Sequence, residues 1–334
     1  MTKIPRVVTI GGGTGSYVAL EGLKKYDFKL TAIVTMMDSG GSSGKLRDEL
    51  GVLPPGDIRQ CLVALSESSK LLRDMFNYRF EEGGLKGHSF GNIFLSTLEK
   101  NTGSMKKAIS EVGKILRIKG QVVPITFTKN TNLCVDLEDG TTIVGETHID
   151  VLEKMEKRAR IAKAYLKPPA ELNDDAKKAI ENADYILIGP GDLYTSIIPN
   201  LLVTGVSNVI KTSKAKKIFV MNLMTKHGQT TNYSAGDHVA DVEKYLGTGV
   251  IDYVVVNTKK PRKETLMWYE EYEEFPVKDD LDDPKKYKVI RGSLIKDILV
   301  KNANNDMLRR SIIRHDSEKL AKEIIEIINS SGRK

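Results

Sequence analysis

The chain contains little cysteine and no long apolar run. Its two cysteines, Cys61 and Cys134, are not in a C-x-x-C spacing, which argues against a disulfide framework or a structural zinc site. No apolar stretch approaches the ~18 residues that a membrane-spanning helix needs. The first residues also lack the charged, apolar and small-residue order of a secretory signal. These absences predict a cytoplasmic protein without a membrane span.

The composition predicts a folded chain with a bias toward anionic partners. Hydrophobic residues make up 40% and charged residues 28% of the 334 residues, which is close to the globular balance. The formal net charge of +7 favours partners such as nucleotides, phosphosugars or RNA. Basic residues are scattered, however, and no RNP or helix-turn-helix signature occurs, so we expect no nucleic acid. No linker is recognisable, which predicts a single domain over residues 1–334.

Short apolar runs alternate with longer amphipathic stretches, a pattern typical of parallel strands covered by helices on both faces. It predicts an α/β fold with a doubly wound, mostly parallel, Rossmann-like sheet. Residues 57–117 show only helical spacing and predict a helical insertion. The predicted strands are Val7–Ile10, Leu30–Met36, Val122–Phe127, Tyr185–Ile188, Lys217–Met221 and Tyr253–Val256.

Three other segments complete the predicted architecture. Residues 133–146 predict an antiparallel hairpin, a structural appendage that turns at Asp139-Gly140. Residues 264–283 are acidic and flanked by prolines, so we expect a long irregular loop. A C-terminal helix is expected over 316–330, with Asp316 as its N-cap.

A glycine cluster follows the first predicted strand and precedes a predicted helix. Glycines let backbone N–H groups approach an oxyanion, and the helix N-terminus adds a favourable dipole. We predict a phosphate-binding loop here, with a tight strand-to-helix turn as the alternative. Ser16 stands at the third glycine position of G-x-G-x-x-G, so a standard dinucleotide enzyme has weak support. The loop residues are Gly11, Gly12, Gly13, Thr14 and Gly15.

A second glycine-rich loop follows the second predicted strand. Asp38 at its start can hold a ribose hydroxyl or a hydrated divalent cation, while Ser42 and Ser43 lie in a second anion-binding nest. The alternative is a flexible surface loop. A Walker A loop is rejected because Ser39 replaces its first glycine and Leu46 replaces its metal-binding hydroxyl residue.

Two further helix starts carry polar side chains. Asp57 follows Pro54-Pro55-Gly56 and either caps a helix or holds a ligand or metal ion. His88 and Asn92 flank the other start, where capping or packing competes with substrate contact.

A third loop suited to binding an oxyanion follows the fourth predicted strand. It is suited to this because two glycines, two hydroxyls and a helix N-terminus converge there. The next two strands end in Asn222 and Asn257, whose amides suit recognition of a base, ribose or sugar hydroxyl, or else a turn. The loop residues are Gly189, Gly191, Thr195 and Ser196.

Two residues near the C-terminus are candidates for closing a nucleotide site. Tyr269 offers a flat ring on which a uracil can stack, and Arg314 offers a guanidinium fork for a pyrophosphate. The alternative is that Tyr269 covers the core and Arg314 pairs with surface carboxylates.

Six motifs span almost the whole chain. In their order and spacing, the chain resembles the bacterial gluconeogenesis factor family (YvcK). This family is similar in fold to CofD, the 2-phospho-L-lactate transferase. The motifs are Ile10-Gly-Gly-Gly-Thr-Gly15, Asp38-Ser-Gly-Gly-Ser-Ser-Gly44, Pro54-Pro-Gly-Asp-Ile-Arg59, Gly87-His-Ser-Phe-Gly-Asn92, Gly189-Pro-Gly-Asp-Leu-Tyr-Thr-Ser196 with Pro199-Asn-Leu-Leu202, and Ile313-Arg-His-Asp316.

The resemblance implies a cytosolic protein that binds UDP-sugars and supports cell-wall growth and cell shape on gluconeogenic carbon sources. It implies no established reaction. The nucleotide diphosphate would lie across Gly11–Gly15 and Gly189–Ser196, and Asp38 would stand where the transferase relatives place a metal-binding or catalytic carboxylate. Many relatives carry a second Asp where this chain has Ser39, which leaves one fewer carboxylate for a cation.

Two hypotheses therefore lead. The first is a UDP-sugar-binding regulator, for UDP-GlcNAc or UDP-glucose, that forms homo-oligomers and acts on cell-wall regulatory proteins. The second is a transferase that breaks a nucleotide pyrophosphate with Mg²⁺ at Asp38. An NAD-dependent oxidoreductase is supported only by the incomplete glycine fingerprint.

Overall fold

The computed structural model describes residues 4–150, 157–282, 286–296 and 312–331. Within these ranges the strands form a seven-stranded sheet and a three-stranded sheet. They are β1 (Arg6–Gly11), β2 (Lys29–Val34), β3 (Gln121–Pro124), β4 (Asn132–Leu137), β5 (Thr142–Val144), β6 (Ile161–Lys167), β7 (Tyr185–Ile188), β8 (Lys216–Val220), β9 (Tyr253–Asn257) and β10 (Lys288–Gly292).

The large sheet is parallel throughout and doubly wound, as predicted. Its order is β10-β9-β8-β7-β1-β2-β3. The chain runs outward from β1 to β3, returns to place β7 beside β1, and then runs outward in the other direction to β10. In sheets of this kind, ligands bind at the carboxyl ends of the strands where the direction reverses. That position lies between β1 and β7.

Helices cover both faces of the sheet. Five of them, α2 to α6, lie between β2 and β3, and α3 to α6 form the helical insertion predicted over residues 57–117. The helices are α1 (Gly13–Leu23), α2 (Gly41–Leu50), α3 (Gly56–Leu65), α4 (Lys70–Asn77), α5 (Phe90–Thr102), α6 (Met105–Leu116), α7 (Glu146–Asp150), α8 (Asp174–Glu181), α9 (Ile198–Leu201), α10 (Val206–Thr212), α11 (Ala235–Leu246), α12 (Lys263–Glu270) and α13 (Ser317–Ser331).

The central strands could be predicted because helices bury them on both faces. Val7, Ile33, Ile188 and Val254, from four different strands, are completely buried. The edge strand β10 was not predicted. Its Val289 and Ile290 are only half-buried, so it lacks the continuous apolar run that marks the interior strands.

The predicted hairpin is present as β4 and β5, and β6 adds a third antiparallel strand. Gly140 adopts a φ of +87°, and the Thr141 N–H donates to Asp139 Oδ1 at 2.9 Å, which closes the turn. The chain then enters α7, so the hairpin leads directly toward the carboxyl edge of the large sheet.

The expectation of an irregular segment over 264–283 is wrong for its first part, which is helix α12. Thr265 and Tyr269, four residues apart, are buried on the same face of this helix. Tyr269 packs in a second apolar cluster with Met224, Ile295 and Ile313. Burial of this face stabilises a helix in a segment whose charge suggests a loop.

The C-terminal helix α13 begins where the sequence predicts. Asp316 Oδ1 accepts hydrogen bonds from the N–H groups of Glu318 and Lys319, both at 3.0 Å. The helix packs closely on α1, since a β-carbon on Gly22 would lie 2.0 Å from the Ser317 carbonyl oxygen. In the ranges that the structure covers, no helix is long and apolar enough to cross a membrane.

Candidate functional site

A polar cleft opens at the carboxyl ends of β1 and β7, where the winding of the sheet reverses. The loops after β1, β2, β7 and β8 contribute to it, together with the first turns of α2 and α3 and the segment before α13. Most of the predicted site residues line this cleft: Gly13, Thr14, Gly15, Asp38, Ser42, Ser43, Asn92, Gly191, Thr195, Ser196, Asn222 and Arg314.

The loops after β1 and β7 meet backbone to backbone. A β-carbon on Gly15 would lie 1.9 Å from the Pro190 carbonyl oxygen, and one on Gly12 would lie 2.7 Å from Ser196 Oγ. Only glycine therefore permits this approach. Gly11, Gly12 and Gly189 are not among the residues that line the cleft; they lie at this contact between the two loops, and their contact with a ligand stays a prediction.

Helix α1 starts at Gly13, in the cleft, and its N-terminal N–H groups and dipole favour an anion there. A β-carbon on Gly13 would lie 2.5 Å from Asp57 Oδ1, so the carboxylate of Asp57 packs against this helix start. Asp57 lies in the first turn of α3 and also lines the cleft, so its position fits the ligand or metal role as well as the capping role.

The loop after β7 is held rigidly from behind. Residues Leu193–Ile197 form a π-helical turn in which Tyr194 is completely buried. The Tyr194 hydroxyl donates to Asp241 Oδ2 at 2.6 Å, and Asn200 Nδ2 donates to the Gly11 and Ser196 carbonyls at 3.3 and 2.8 Å. Burial raises the pKa of the Tyr194 hydroxyl, so it remains a donor. These bonds fix Thr195 and Ser196 at the cleft.

Carboxylates gather on the β2 side of the cleft. Asp38 Oδ1 accepts from the Gly40 N–H at 2.9 Å, and Glu146 Oε2 lies 3.4 Å from the Ser39 nitrogen. Burial, followed by the neighbouring charges of Asp38 and Asp150, raises the pKa of Glu146 well above its usual range. The hairpin is therefore more than a structural appendage, because the helix that follows it brings Glu146 and Asp150 into the cleft.

This donor set suits a cation shared with a ligand rather than an ion held by protein alone. In the part of the chain that the structure describes, no group of three or more His, Cys, Asp or Glu side chains is arranged to hold a metal ion. Mg²⁺ commonly uses one or two carboxylates, several waters and substrate phosphates. Asp38 and Asp57, which line the cleft with the N-terminal residues of α1, fit that mode.

The helical insertion supplies a hydrogen-bonded chain of side chains at the same edge. Asn92 Nδ2 donates to Ser42 Oγ at 3.2 Å, and Asn92 Oδ1 accepts from Arg59 Nε at 2.9 Å. His88 Nδ1 lies 3.1 Å from the same Ser42 hydroxyl, and burial, with Lys45 nearby, lowers the pKa of His88. Asn92 thus positions Ser42 and Arg59, in addition to lining the cleft.

On the β8 side, Arg314 lies on the cleft as predicted, but Tyr269 does not. The Tyr269 ring is completely buried and packs edge-on against Trp268, with ring centroids 4.8 Å apart. Its hydroxyl accepts a hydrogen bond from the Ile313 N–H at 3.1 Å. The prediction of a stacking surface for a base is therefore wrong, because this ring is used to hold the chain next to Arg314.

Several cleft residues were not assigned from the sequence. Lys226 Nζ lies 3.5 Å from Asp150 Oδ1, which joins the β8 loop to α7 across the cleft. Arg59 and His315 lie within two of the six motifs, and no local motif marks the others. The residues are Arg59, Gln60, Arg79, Glu146, Asp150, Lys226, Glu274 and His315.

Comparison with known proteins gives a consistent family. The family described as 2-phospho-L-lactate transferase CofD matches residues 7–295. The chain is 43% identical over 325 residues to a Thermotoga maritima relative, covering 97% of this chain and 99% of that one. It is 38% identical over 329 residues to the "Gluconeogenesis factor" of Bacillus subtilis, covering 98% and 99%. A crystal structure of a Bacillus halodurans protein of the UPF0052 family superposes with a TM-score of 0.86 at 36% identity, covering 97% of this chain and all of the other.

Proposed function

The chain belongs to the gluconeogenesis factor family, with a CofD-type domain over residues 7–295, and from that premise we propose that it binds a UDP-sugar in the cleft between β1 and β7. The proposal rests on the contact between the glycine-rich loops after β1 and β7, at the place where the winding of the sheet reverses. Gly15 and Pro190 approach so closely that the start of α1 and the loop Gly191–Ser196 face one space. Such an arrangement suits a diphosphate.

The charge around this space supports a diphosphate rather than a neutral ligand. Arg314 and Lys226 line the β8 side, and the N-termini of α1, α2 and α3 all open toward the cleft. A guanidinium can donate two parallel hydrogen bonds to phosphate oxygens. Asp38 and Asp57 would repel a bare diphosphate, so we expect Mg²⁺ to accompany the ligand.

The same loop argues against an NAD-dependent oxidoreductase. Ser16 replaces the third glycine of the dinucleotide fingerprint and is completely buried. A β-carbon on Gly11 would lie 2.9 Å from Ser16 Oγ, so the serine fills the space behind the loop.

We further propose that ligand binding serves regulation in the cytoplasm. On this proposal the protein senses a cell-wall precursor, UDP-GlcNAc or UDP-glucose, and supports cell-wall growth and shape on gluconeogenic carbon sources. It would act as a homo-oligomer on cell-wall regulatory proteins. The support is the family membership together with the resemblance carried by the six motifs.

A metal-dependent transferase is the second candidate, and the carboxylates of the cleft favour it. Ser39 replaces a second aspartate, yet Glu146 Oε2 reaches within 3.4 Å of the Ser39 nitrogen from the hairpin side. A carboxylate is therefore still present at this loop. Mg²⁺ held by Asp38 and the ligand phosphates would stabilise charge on the phosphate oxygens during transfer.

Thermal unfolding with a ligand panel tests both candidates. A ligand that binds only the folded state raises its stability by RT ln(1 + [L]/Kd). We expect UDP-glucose or UDP-GlcNAc with Mg²⁺ to raise the melting temperature more than NAD or GDP-linked sugars. Stabilisation by NAD alone would refute the proposal. Release of a nucleoside monophosphate together with a sugar phosphate in the same tubes, with water as the acceptor, would favour the transferase.

A further inference from the structure

We propose that His315 and Asn222 form a base-reading subsite that accepts hydrogen bonds from the ligand and selects uridine over cytidine. The proposal rests on the proposed function, because it requires that the cleft holds a nucleotide sugar. It adds the identity of the residues that recognise the base, and it places the base on the β8 side of the cleft.

The subsite is marked by two buried polar atoms. Asn222 Oδ1 and His315 Nε2 are both buried and have no hydrogen-bond partner among the residues that the structure describes. His315 as a whole is 7% exposed, and both residues line the cleft. Buried polar atoms are normally paired, so a pair of unpaired ones in a cleft indicates that a ligand supplies the partners.

Both atoms are hydrogen-bond acceptors. The backbone of Met221 favours the protonated imidazole, as a carbonyl acceptor facing the ring does, and because Nε2 is unpaired we assign the ring proton of neutral His315 to Nδ1. Nε2 then carries only a lone pair. Burial lowers the pKa of His315 to about 4, so the ring is neutral near neutral pH. Asn222 follows Met221 directly, and both acceptors belong to residues that line the same cleft.

The surroundings of this pair suit a nucleobase. Leu223 and Met224, which follow Asn222, and Ile313, which precedes Arg314 and His315, give the cleft apolar surface, and the charged Lys226 and Arg314 line it as well. A flat, neutral heterocycle fits apolar surface with a few placed polar groups to orient it. The diphosphate would then lie at the start of α1.

The neutral His315 ring has one donor nitrogen and one acceptor nitrogen in fixed places, and this pattern gives the selectivity for uracil over cytosine. Uracil presents an N3–H donor, whereas cytosine presents a lone pair at the same ring position. An amide such as Asn222 can turn over and adapt to either base, whereas the imidazole keeps its Nδ1 proton toward the Met221 backbone on this assignment. Facing cytosine, Nε2 would meet another acceptor and stay unpaired.

The test compares UDP-glucose with CDP-glucose by calorimetry on the unaltered protein with Mg²⁺. We expect UDP-glucose to bind ~10- to 100-fold more tightly, the range that one missing hydrogen bond at a buried acceptor gives. UDP methylated at N3, which has lost the donor, should show a similar loss relative to UDP. Neither comparison depends on a variant folding correctly.

Two variants assign the effect to residues. His315→Phe should bring the two affinities within about threefold of each other, whereas Asn222→Ala should weaken both ligands and keep part of the preference. Asn208→Ala, at an exposed position of α10, is the matched control and should change neither affinity.

The outcomes separate the two proposals. If the unaltered protein binds UDP-glucose and CDP-glucose within threefold, the base-reading subsite is refuted while nucleotide-sugar binding stands. The same conclusion holds if His315→Phe keeps the full preference. If neither ligand binds, the proposed function fails and the subsite fails with it.

Discussion

Replacing Gly15 by alanine perturbs the contact on which the proposed ligand site depends. The added β-carbon would lie 1.9 Å from the Pro190 carbonyl oxygen and 2.5 Å from its carbon, and ordinary contact begins at 3.4 Å. The backbone of one loop must therefore move by about 1.5 Å, because no flexible side chain is available to give way. Overpacking of this kind costs ~1–3 kcal/mol of unfolding free energy.

The displacement should weaken binding more clearly than it weakens the fold. It separates the start of α1 from the loop Gly191–Ser196, and the diphosphate needs both at once. We expect the Kd for UDP-glucose, measured by calorimetry, to rise at least ~10-fold, a loss of about 1.4 kcal/mol. Urea unfolding of the same samples gives the stability change.

The matched control is Gly84→Ala. Nothing lies within 4 Å of the position its β-carbon would take, and this glycine is exposed. We expect unfolding free energy within ~0.5 kcal/mol of the parent and an unchanged Kd. If Gly15→Ala behaves like this control in both measurements, the close approach of the two loops is not what forms the site.

Three further changes test other parts of the cleft. Asp38→Asn keeps the acceptor for the Gly40 N–H but removes the charge. Calorimetry should therefore show a weaker Mg²⁺ dependence of UDP-glucose binding, with the fold intact. If the variant keeps the full cation dependence, Asp38 is only a turn residue. Arg314→Ala should weaken UDP-sugar binding by ~10- to 150-fold with little change in the free energy of unfolding, because a charged hydrogen bond contributes ~1.5–3 kcal/mol. An affinity within twofold of the parent would show that Arg314 is not part of the site. His315 has a folded-state pKa of about 4, below its usual value near 6.5, so the unfolded chain binds more protons than the folded chain between those pH values. The free energy of unfolding therefore falls as the pH drops through that window, by up to ~1.4 kcal/mol per pH unit. Urea unfolding at pH 7 and pH 5 should therefore show a larger loss in the parent than in His315→Phe, and equal losses would contradict burial of a neutral His315.

The interior of the fold could be predicted because its signals are local. Strands such as Tyr185–Ile188 are buried on both faces and appear as uninterrupted apolar runs. The position of the three glycine-rich loops at the carboxyl edge of the sheet could be predicted for the same reason, since glycines after a strand and before a helix mark a close backbone approach, while anion binding by these loops stays a prediction. The edge strand β10 has no such run, because solvent reaches one of its sides.

The rest of the site depends on contacts between distant segments. Glu146 reaches Ser39 across 107 positions of the chain, and no periodicity in the hairpin indicates that α7 will face the cleft. For Tyr269 the prediction failed in the opposite direction, because a residue assigned to the cleft lies outside it. Whether a tyrosine faces a ligand or an apolar cluster depends on what packs against it, here Met224, Ile295 and Ile313 from three other segments.

The most direct test of nucleotide-sugar binding is a crystal structure of the chain with UDP-glucose and Mg²⁺. The account predicts the diphosphate against the backbone N–H groups of Gly13–Gly15 and the loop Gly191–Ser196, with the uracil toward Asn222 and His315. A nucleotide bound outside the cleft between β1 and β7, with that cleft holding only solvent, would contradict it.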